Sequence, residues 1–332
     1  MTRVVRFHKT GNADVLKIEE VPLQNPGPGE LRIKVEAIGL NRAEIMFRNG
    51  MYLVNPTFPS KIGYEASGTV DAIGPDVTGF KFGDRVSSIP AFPMSEYGVY
   101  GETAIVPARF LVHYPSNLDV KQATSIWMQY LTAWGGLVHH GKVQSGQSVL
   151  ITAGGSSVAL AAVQTTRVVG ARPIVTTRTS AKKKPLKDAG AAEVIATEEE
   201  DLVARVKEIT SGKGVSLVFD PIGGPILAQL ADATARGGQI IEYGALSTKP
   251  TPYPLFAALA KGLVIRGYTL FEVTAPWNAD VLARGLSFIT EQLKNGTFVP
   301  LIDKVFPFDK IADAQRYMES NEQIGKIVVT VP

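Results

Sequence analysis

The sequence predicts an α/β protein in which a β-rich domain is followed by a doubly wound parallel sheet and closed by a return segment. Three observations carry this. From Met1 to about Lys121 the chain runs in short Val/Ile-rich segments separated by turn residues. From Ser125 strand-like and helix-like segments alternate, the rhythm of a doubly wound sheet. Within the second stretch Ser148 to Ala171 reads as strand, glycine turn and helix. At 332 residues the chain is also longer than one core usually supports. The expected boundaries are 1–124 for the β-rich domain, 125–265 for the parallel sheet and 266–332 for the return.

In chain order, RVVRF, VLKIEEV and LRIKVEAIGL read as the first strands, with Asn25-Pro26-Gly27-Pro28-Gly29-Glu30 as a turn between the second and third. SGTVDAIG, DRVSSI and GETAIVPARFLVHYP follow, a spacing that suggests an antiparallel barrel or sandwich. Asp84 and Arg85 are expected to form a local ion pair, and His139 and His140 to sit at the exposed end of a Thr132–Val138 helix. Phe92, Met94, Tyr97 and Tyr100 either line an apolar pocket or pack on the barrel.

In the second domain Val149-Leu150-Ile151 is of strand length, and Val158 to Val163 opens a helix that Gly170 ends. Strands are expected at Arg172–Thr177, Glu193–Ala196, Ser216–Asp220 and Gly238–Gly244, with helices over Glu199–Thr210 and Pro225–Ala235. Pro185 is a local exception, because an interior proline costs a helix about 3 kcal/mol. The helix there should therefore begin near Lys184, after an ordered loop from Ser180. The return segment holds a helix over Asp280–Leu293, a strand at Val305-Phe306, a helix from Asp309 as N-cap, and a last strand from Lys326.

The turn Gly154-Gly155-Ser156-Ser157-Val158 has the small residues that let a backbone approach an anion, at a helix N-terminus whose N–H groups point outward. A strict G-x-G-x-x-G is absent, since Ala153, Ser156 and Ala159 hold the spaced positions, and such a turn also serves without a ligand. Asp220 to Gly224 and Glu242 to Ala245 fall at the carboxyl ends of their strands, where ligands gather in open α/β sheets.

Composition excludes several classes. Net charge is +3, too small and dispersed for a nucleic-acid partner. No apolar run has membrane-spanning length, and charges interrupt the N-terminus where a secretory signal needs an apolar core, so a cytoplasmic protein is expected. There is no cysteine, which removes disulfides and thiolate metal sites, and the four histidines lack ligand spacing. No metal is expected.

The motifs Gly39-Leu40-Asn41-Arg42, Arg48-Asn49-Gly50-Met51-Tyr52, Gly63-Tyr64-Glu65-Ala66-Ser67-Gly68, Phe82-Gly83-Asp84-Arg85-Val86, Leu131-Thr132-Ala133-Trp134 and Gly325-Lys326 stand in order along the chain. With them the sequence resembles the zinc-independent medium-chain dehydrogenase/reductases, near the quinone oxidoreductases. Zinc-dependent relatives carry a histidine where Tyr64 stands and a cysteine near Asn41. The resemblance implies a GroES-like β-rich catalytic domain, a Rossmann-type cofactor domain and, as a partner, a second copy in a homodimer through Ala257 to Thr269. It implies hydride transfer from NADPH to a quinone or α,β-unsaturated carbonyl compound. An enoyl-thioester reductase and a catalytically weak NADPH-binding protein remain alternatives. Asn41, Tyr52 and Tyr64 are the implied catalytic residues, Tyr52 being the candidate proton donor to an enolate. Thr132, Tyr243, Gly244 and Lys326 join the glycine turn as implied cofactor residues.

The choice of NADPH is read from the end of the second Rossmann strand. An NAD enzyme usually places an acid about 20 residues beyond the glycine turn. Here Thr177, Arg178, Ser180 and Lys182 stand there, with no acid until Asp188. Arg178 and Lys182 are suited to a 2′-phosphate, and the hydroxyls of Thr177 and Ser180 add donors.

Overall fold

A computed structural model describes all 332 residues. The chain divides into two units, residues 1–128 with 300–332, and residues 129–299.

In the first unit, β1 (Thr2–Arg6) and β2 (Lys17–Val21) form an antiparallel ribbon. The main sheet is organised on β3 (Glu30–Gly39), whose alternation buries Leu31, Ile33 and Val35 on one face. Arg32 on the other face reaches Asp71 across the ladder at 2.8 Å. β4 (Glu65–Ile73), β5 (Arg85–Ser88), β6 (Thr103–Pro107) and β7 (Leu111–His113) follow. β3 takes both β4 and β6 as antiparallel partners. Phe92 and Met94 are buried, Phe92 packing against Tyr64, Tyr97 and Phe110.

The second unit is a six-stranded parallel sheet: β8 (Ser148–Ile151), β9 (Arg172–Thr177), β10 (Glu193–Ala196), β11 (Val215–Asp220), β12 (Thr234–Glu242) and β13 (Val264–Gly267). The spatial order is β10-β9-β8-β11-β12-β13, so β8 separates two halves wound in opposite directions. The strands are continuous apolar runs because helices cover them. Leu150, Ile174, Ile195, Val218 and Ile240 share a fully buried cluster with Val206 and Leu230 of the helices. The chain then completes the first unit with β14 (Ile302–Pro307) and β15 (Lys326–Thr330), β15 pairing antiparallel with β3.

Several expectations differ in place. The return to the first unit comes at Pro300 rather than residue 266. The reason is packing: Tyr268 Oη donates to Leu131 O at 3.3 Å, Phe298 stacks on Tyr130 at 4.6 Å, and Gly285 sits against Leu131 and Trp134. Residues 125–128 belong instead to the first unit, where Trp127 Nε1 donates to Ser87 Oγ and Met128 N to Glu65 Oε1. Asp84 and Arg85 do not pair with each other. Successive residues on a strand face opposite sides, and Asp84 meets His113 at 3.0 Å while Arg85 donates to Tyr114 Oη and Leu118 O. His139 and His140 end a π-helix, Gly135–His140, and are half-buried. His140 is drawn in by Arg266, 2.9 Å from its Nδ1. Asp309 lies in a 3₁₀ turn and binds Arg3, so Lys310 becomes the cap of the helix Ile311–Ser320. The Pro185 helix begins at Lys183, one residue early, and Ser180–Lys182 is a 3₁₀ turn.

Candidate active site

The carboxyl end of the parallel sheet carries one group of residues. After β8 the chain turns through Ala153, at φ 51°, into Gly154. Gly154 N donates to Thr176 O at 2.8 Å, and a Cβ on Gly154 would lie 2.2 Å from Val175 Cγ1. Only glycine permits this approach. Ser156 then caps the helix Ser157–Val168, its Oγ accepting from Ala159 N at 3.1 Å. The N–H groups of Ser157 and Val158 head the first turn, where a helix has no internal acceptors for them. This is a cradle that an anionic group fits.

At the end of β9, Thr177 is half-buried and Arg178 is exposed, its guanidinium outside every ion pair of the molecule. Lys182 is half-buried in the following 3₁₀ turn, and Lys183 pairs with Glu200 at 2.5 Å. One feature escaped the sequence reading. Glu199, beyond β10, reaches back to accept from Ser180 N at 2.9 Å and Ser180 Oγ at 3.3 Å. The segment without a nearby acid in sequence thus has one in space, and the Ser180 hydroxyl is engaged.

At the end of β12 the Tyr243 ring stacks on Phe219 with centroids 4.0 Å apart. Its hydroxyl is buried beside Ser156, and burial raises its pKa above the usual tyrosine range. Gly244 is exposed and follows Tyr243, while Thr132 is buried on the helix Trp127–Trp134.

The other group lies in the first unit. Asn41 caps the helix Arg42–Arg48 in a reciprocal capping box with Glu44. Asn41 N donates to Glu44 Oε2, and its Nδ2 to Glu44 Oε1 at 3.1 Å and Gly39 O at 3.3 Å. Lys326 Nζ donates to Asn41 Oδ1 at 2.6 Å and to Glu65 Oε2 at 2.5 Å. Glu65 Oε1 in turn accepts from Met128 N. Both polar atoms of the Asn41 amide are therefore committed within the protein. Lys326 is sealed from solvent at 0% side-chain exposure. The expectation that Lys326 binds cofactor is corrected: its ammonium is a buried counter-ion to Glu65. Glu44 and Glu65, which complete this network, were not singled out from sequence. A capping-box spacing, Asn41 to Glu44, was the available signal for the first.

Tyr64 is buried and its backbone N donates to Glu44 Oε1 at 3.1 Å. Its hydroxyl shares a hydrogen bond with that of Tyr52, the rings lying 6.5 Å apart. Burial raises both tyrosine pKa values. Tyr52 is only half-buried, so of the three implied catalytic side chains it is the one that meets solvent. Burial also pushes the Glu44 carboxyl up to about 7. No group of three or more His, Asp or Glu side chains is arranged to hold a metal ion. No helix is long and apolar enough to cross a membrane.

The alcohol dehydrogenase GroES-like domain family matches residues 27–116, and the family described as zinc-binding dehydrogenase matches residues 157–285. A quinone oxidoreductase of Pseudomonas aeruginosa is 32% identical over 79% of this chain and 79% of its own. Among solved structures, an NAD-dependent alcohol dehydrogenase superposes with a TM-score of 0.92 at 30% identity, covering 99% of this chain and 100% of its own. The Escherichia coli quinone oxidoreductase complexed with NADPH gives 0.90 at 27% identity, covering 99% and 100%.

Proposed function

Because the chain belongs to the quinone oxidoreductase-like family of medium-chain dehydrogenase/reductases, we propose that it is an NADPH-dependent reductase of quinones or α,β-unsaturated carbonyl compounds. The observation that carries this reading is the pairing of a Cβ-free turn at Gly154 with a free guanidinium at the end of the next strand, on Arg178. The turn and the head of its helix would hold a pyrophosphate. Arg178, with Lys182 beside it, would hold a 2′-phosphate, which a fork of donors binds better than a point charge. Thr177, Tyr243 and Gly244 complete the proposed cofactor contacts. When bound, the cofactor supplies a hydride.

The protein supplies position and one proton. Tyr52 is the proposed donor to an enolate oxygen, and the Tyr64 hydroxyl beside it would donate to and steady the phenolate left behind. A reduced quinone is a stabilised phenolate that water protonates, so Tyr52 is dispensable there. The proposed second copy docks on the sheet edge, where Leu255, Phe256 and Leu259 are 51%, 86% and 71% exposed beside β13. A monomeric mass by light scattering would remove that part.

The test is steady-state turnover of wild type on quinones and enones with NADPH and NADH. The expected result is a clear NADPH preference that Arg178→Ala with Lys182→Ala lowers by about tenfold to a hundredfold, the worth of one or two charge-assisted bonds. Preference for NADH, or an unchanged preference in the double variant, overturns the cofactor assignment. Tyr52→Phe should lose enone turnover and keep quinone turnover; no loss on either removes the donor role. Binding of NADPH without turnover of any acceptor would mark the chain as a cofactor-binding protein instead.

A further inference from the structure

The carboxyl ends of β11 and β12 bring two acids side by side, since the parallel register sets Asp220 directly against Glu242. Asp220 is fully buried and its oxygens are already engaged. Oδ1 accepts from Thr152 Oγ1 at the end of β8, and Oδ2 accepts from Gly223 N at 2.7 Å. Glu242 is half-buried, and its Oε1 is shut off from water with no donor. Two carboxylates in this position repel, and burial removes the water that would screen them.

No cation relieves the pair. On β13 the nearest is Arg266, whose guanidinium turns to His140 Nδ1 at 2.9 Å and Glu272 Oε2 at 2.6 Å. Tyr243, next on the strand, stacks on Phe219, and the Tyr268 hydroxyl donates to Leu131 O. Burial first, and then Asp220, push the Glu242 carboxyl up to about 9. At neutral pH it carries a proton, and the carboxyl becomes a donor beside the Asp220 acceptor.

We infer that Glu242 is a positioning residue: it shares a proton with Asp220 through an O–H···O bond, and so fixes the loop Pro221–Gly224 in the shape that receives NADPH. The inference rests on the functional reading above, in which the cofactor lies over this end of the sheet. The link is through Asp220, which holds Gly223 N while Gly223 and Gly224 turn at φ 62° and 69°. That loop is laced to the one after β12. Leu246 N donates to Pro221 O, Ser247 N to Ile222 O, and Gly224 N to Thr251 Oγ1 at 2.7 Å. A second negative charge on Glu242 would drive the carboxyls apart, and the loop gripped by Asp220 would move with them.

The sign of the stability effect follows from linkage. The native protein keeps a proton that the unfolded chain gives up at the ordinary glutamate value. Stability from this group therefore falls as pH rises from about 4.5 to about 9, and is level beyond.

The experiment compares full-length wild type with Glu242→Gln, whose amide donates the same bond and cannot lose a proton. NADPH affinity is titrated by fluorescence from pH 7 to 10, and melting is followed over the same range without cofactor. Wild type should weaken about tenfold in NADPH affinity across this range, the worth of one lost hydrogen bond. Glu242→Gln should stay within about twofold of the neutral wild-type value throughout. Its melting temperature should also gain on wild type from pH 7 to 9. Equal pH dependence of affinity and melting in both proteins overturns the shared proton. A variant that melts as predicted yet has lost NADPH binding at pH 7 overturns the positioning role, because the carboxyl would then touch the cofactor itself. Wild type that binds no NADPH at any pH overturns the functional reading, and the melting comparison still decides the proton-sharing pair.

Discussion

The turn at Gly154 and the network around Lys326 both come from motifs of the same family, yet they are built in opposite ways. The turn is made of backbone. Its glycine fits where no Cβ can, its serine caps one amide, and the amides of Ser157 and Val158 are left to face outward. The Lys326 network is made of side chains, and Asn41 Oδ1, Asn41 Nδ2 and both Glu65 oxygens are each taken by a partner inside the protein. Donors left unspent mark a place for a ligand. Donors fully spent mark a place that sets the shape of its surroundings.

The largest effect expected from this contrast is on stability. Lys326→Met leaves the Glu65 carboxylate buried without its cation, which should destabilise the protein by about 3–5 kcal/mol. Urea denaturation measures this, and a loss below about 1 kcal/mol would mean that the network is not a buried ion pair in solution. Any folded Lys326→Met protein should keep its preference for NADPH over NADH, which separates it from the Arg178 variant.

The turn should respond the other way round. Gly154→Ala places a Cβ 2.2 Å from Val175 Cγ1 and 2.7 Å from Thr176 O, one of them backbone, so the turn must shift. NADPH affinity should fall by about a hundredfold while stability drops by only about 1–3 kcal/mol, in the range of overpacked sites. Unchanged affinity in a fluorescence titration would show that the turn does not hold the cofactor.

A pH-dependent effect belongs to Glu44. Its carboxyl is raised to about 7, so the native protein holds a proton that the unfolded chain releases at about 4.5. Stability from this group is fully present below about 4.5, falls up to about 7 and is flat above, a change of roughly 3 kcal/mol by linkage. Glu44→Gln should lower stability by a constant amount, because Asn41 and Tyr64 lose an acceptor, and should flatten that pH slope. A slope equal to wild type in melting curves from pH 4.5 to 7 would assign the proton elsewhere.

How much of this was legible in the sequence depends on how far each residue had to reach. The turn at Gly154, the strands around it and the shortened helix at Pro185 are local matters of glycine, apolar period and proline, and they read directly. The cation at Arg178 also read directly, but the carboxylate of Glu199, 19 residues from Ser180, did not, because only the parallel register of β9 and β10 brings the two segments together. Lys326 failed for the same reason at larger scale. Its residue type and motif suggested an anion in a ligand, whereas its anion is Glu65, 261 positions away. The segment 266–299 reads as helix from its own pattern, but its allegiance is decided by Tyr268, Gly285 and Phe298 meeting residues near 130.

The bond from Lys326 to Asn41 has a consequence for synthesis. It joins positions 285 residues apart. As the chain emerges from the ribosome, β3 must wait for β15, and the Asn41 amide and Glu65 for their ammonium, until the whole of the inserted unit has been made. The inserted parallel sheet has every strand it needs long before then and, as a unit, is free to fold first. The first unit, begun before the inserted sheet, is thus completed after it, and a chain interrupted between residue 299 and Lys326 carries a finished parallel sheet attached to an unfinished neighbour.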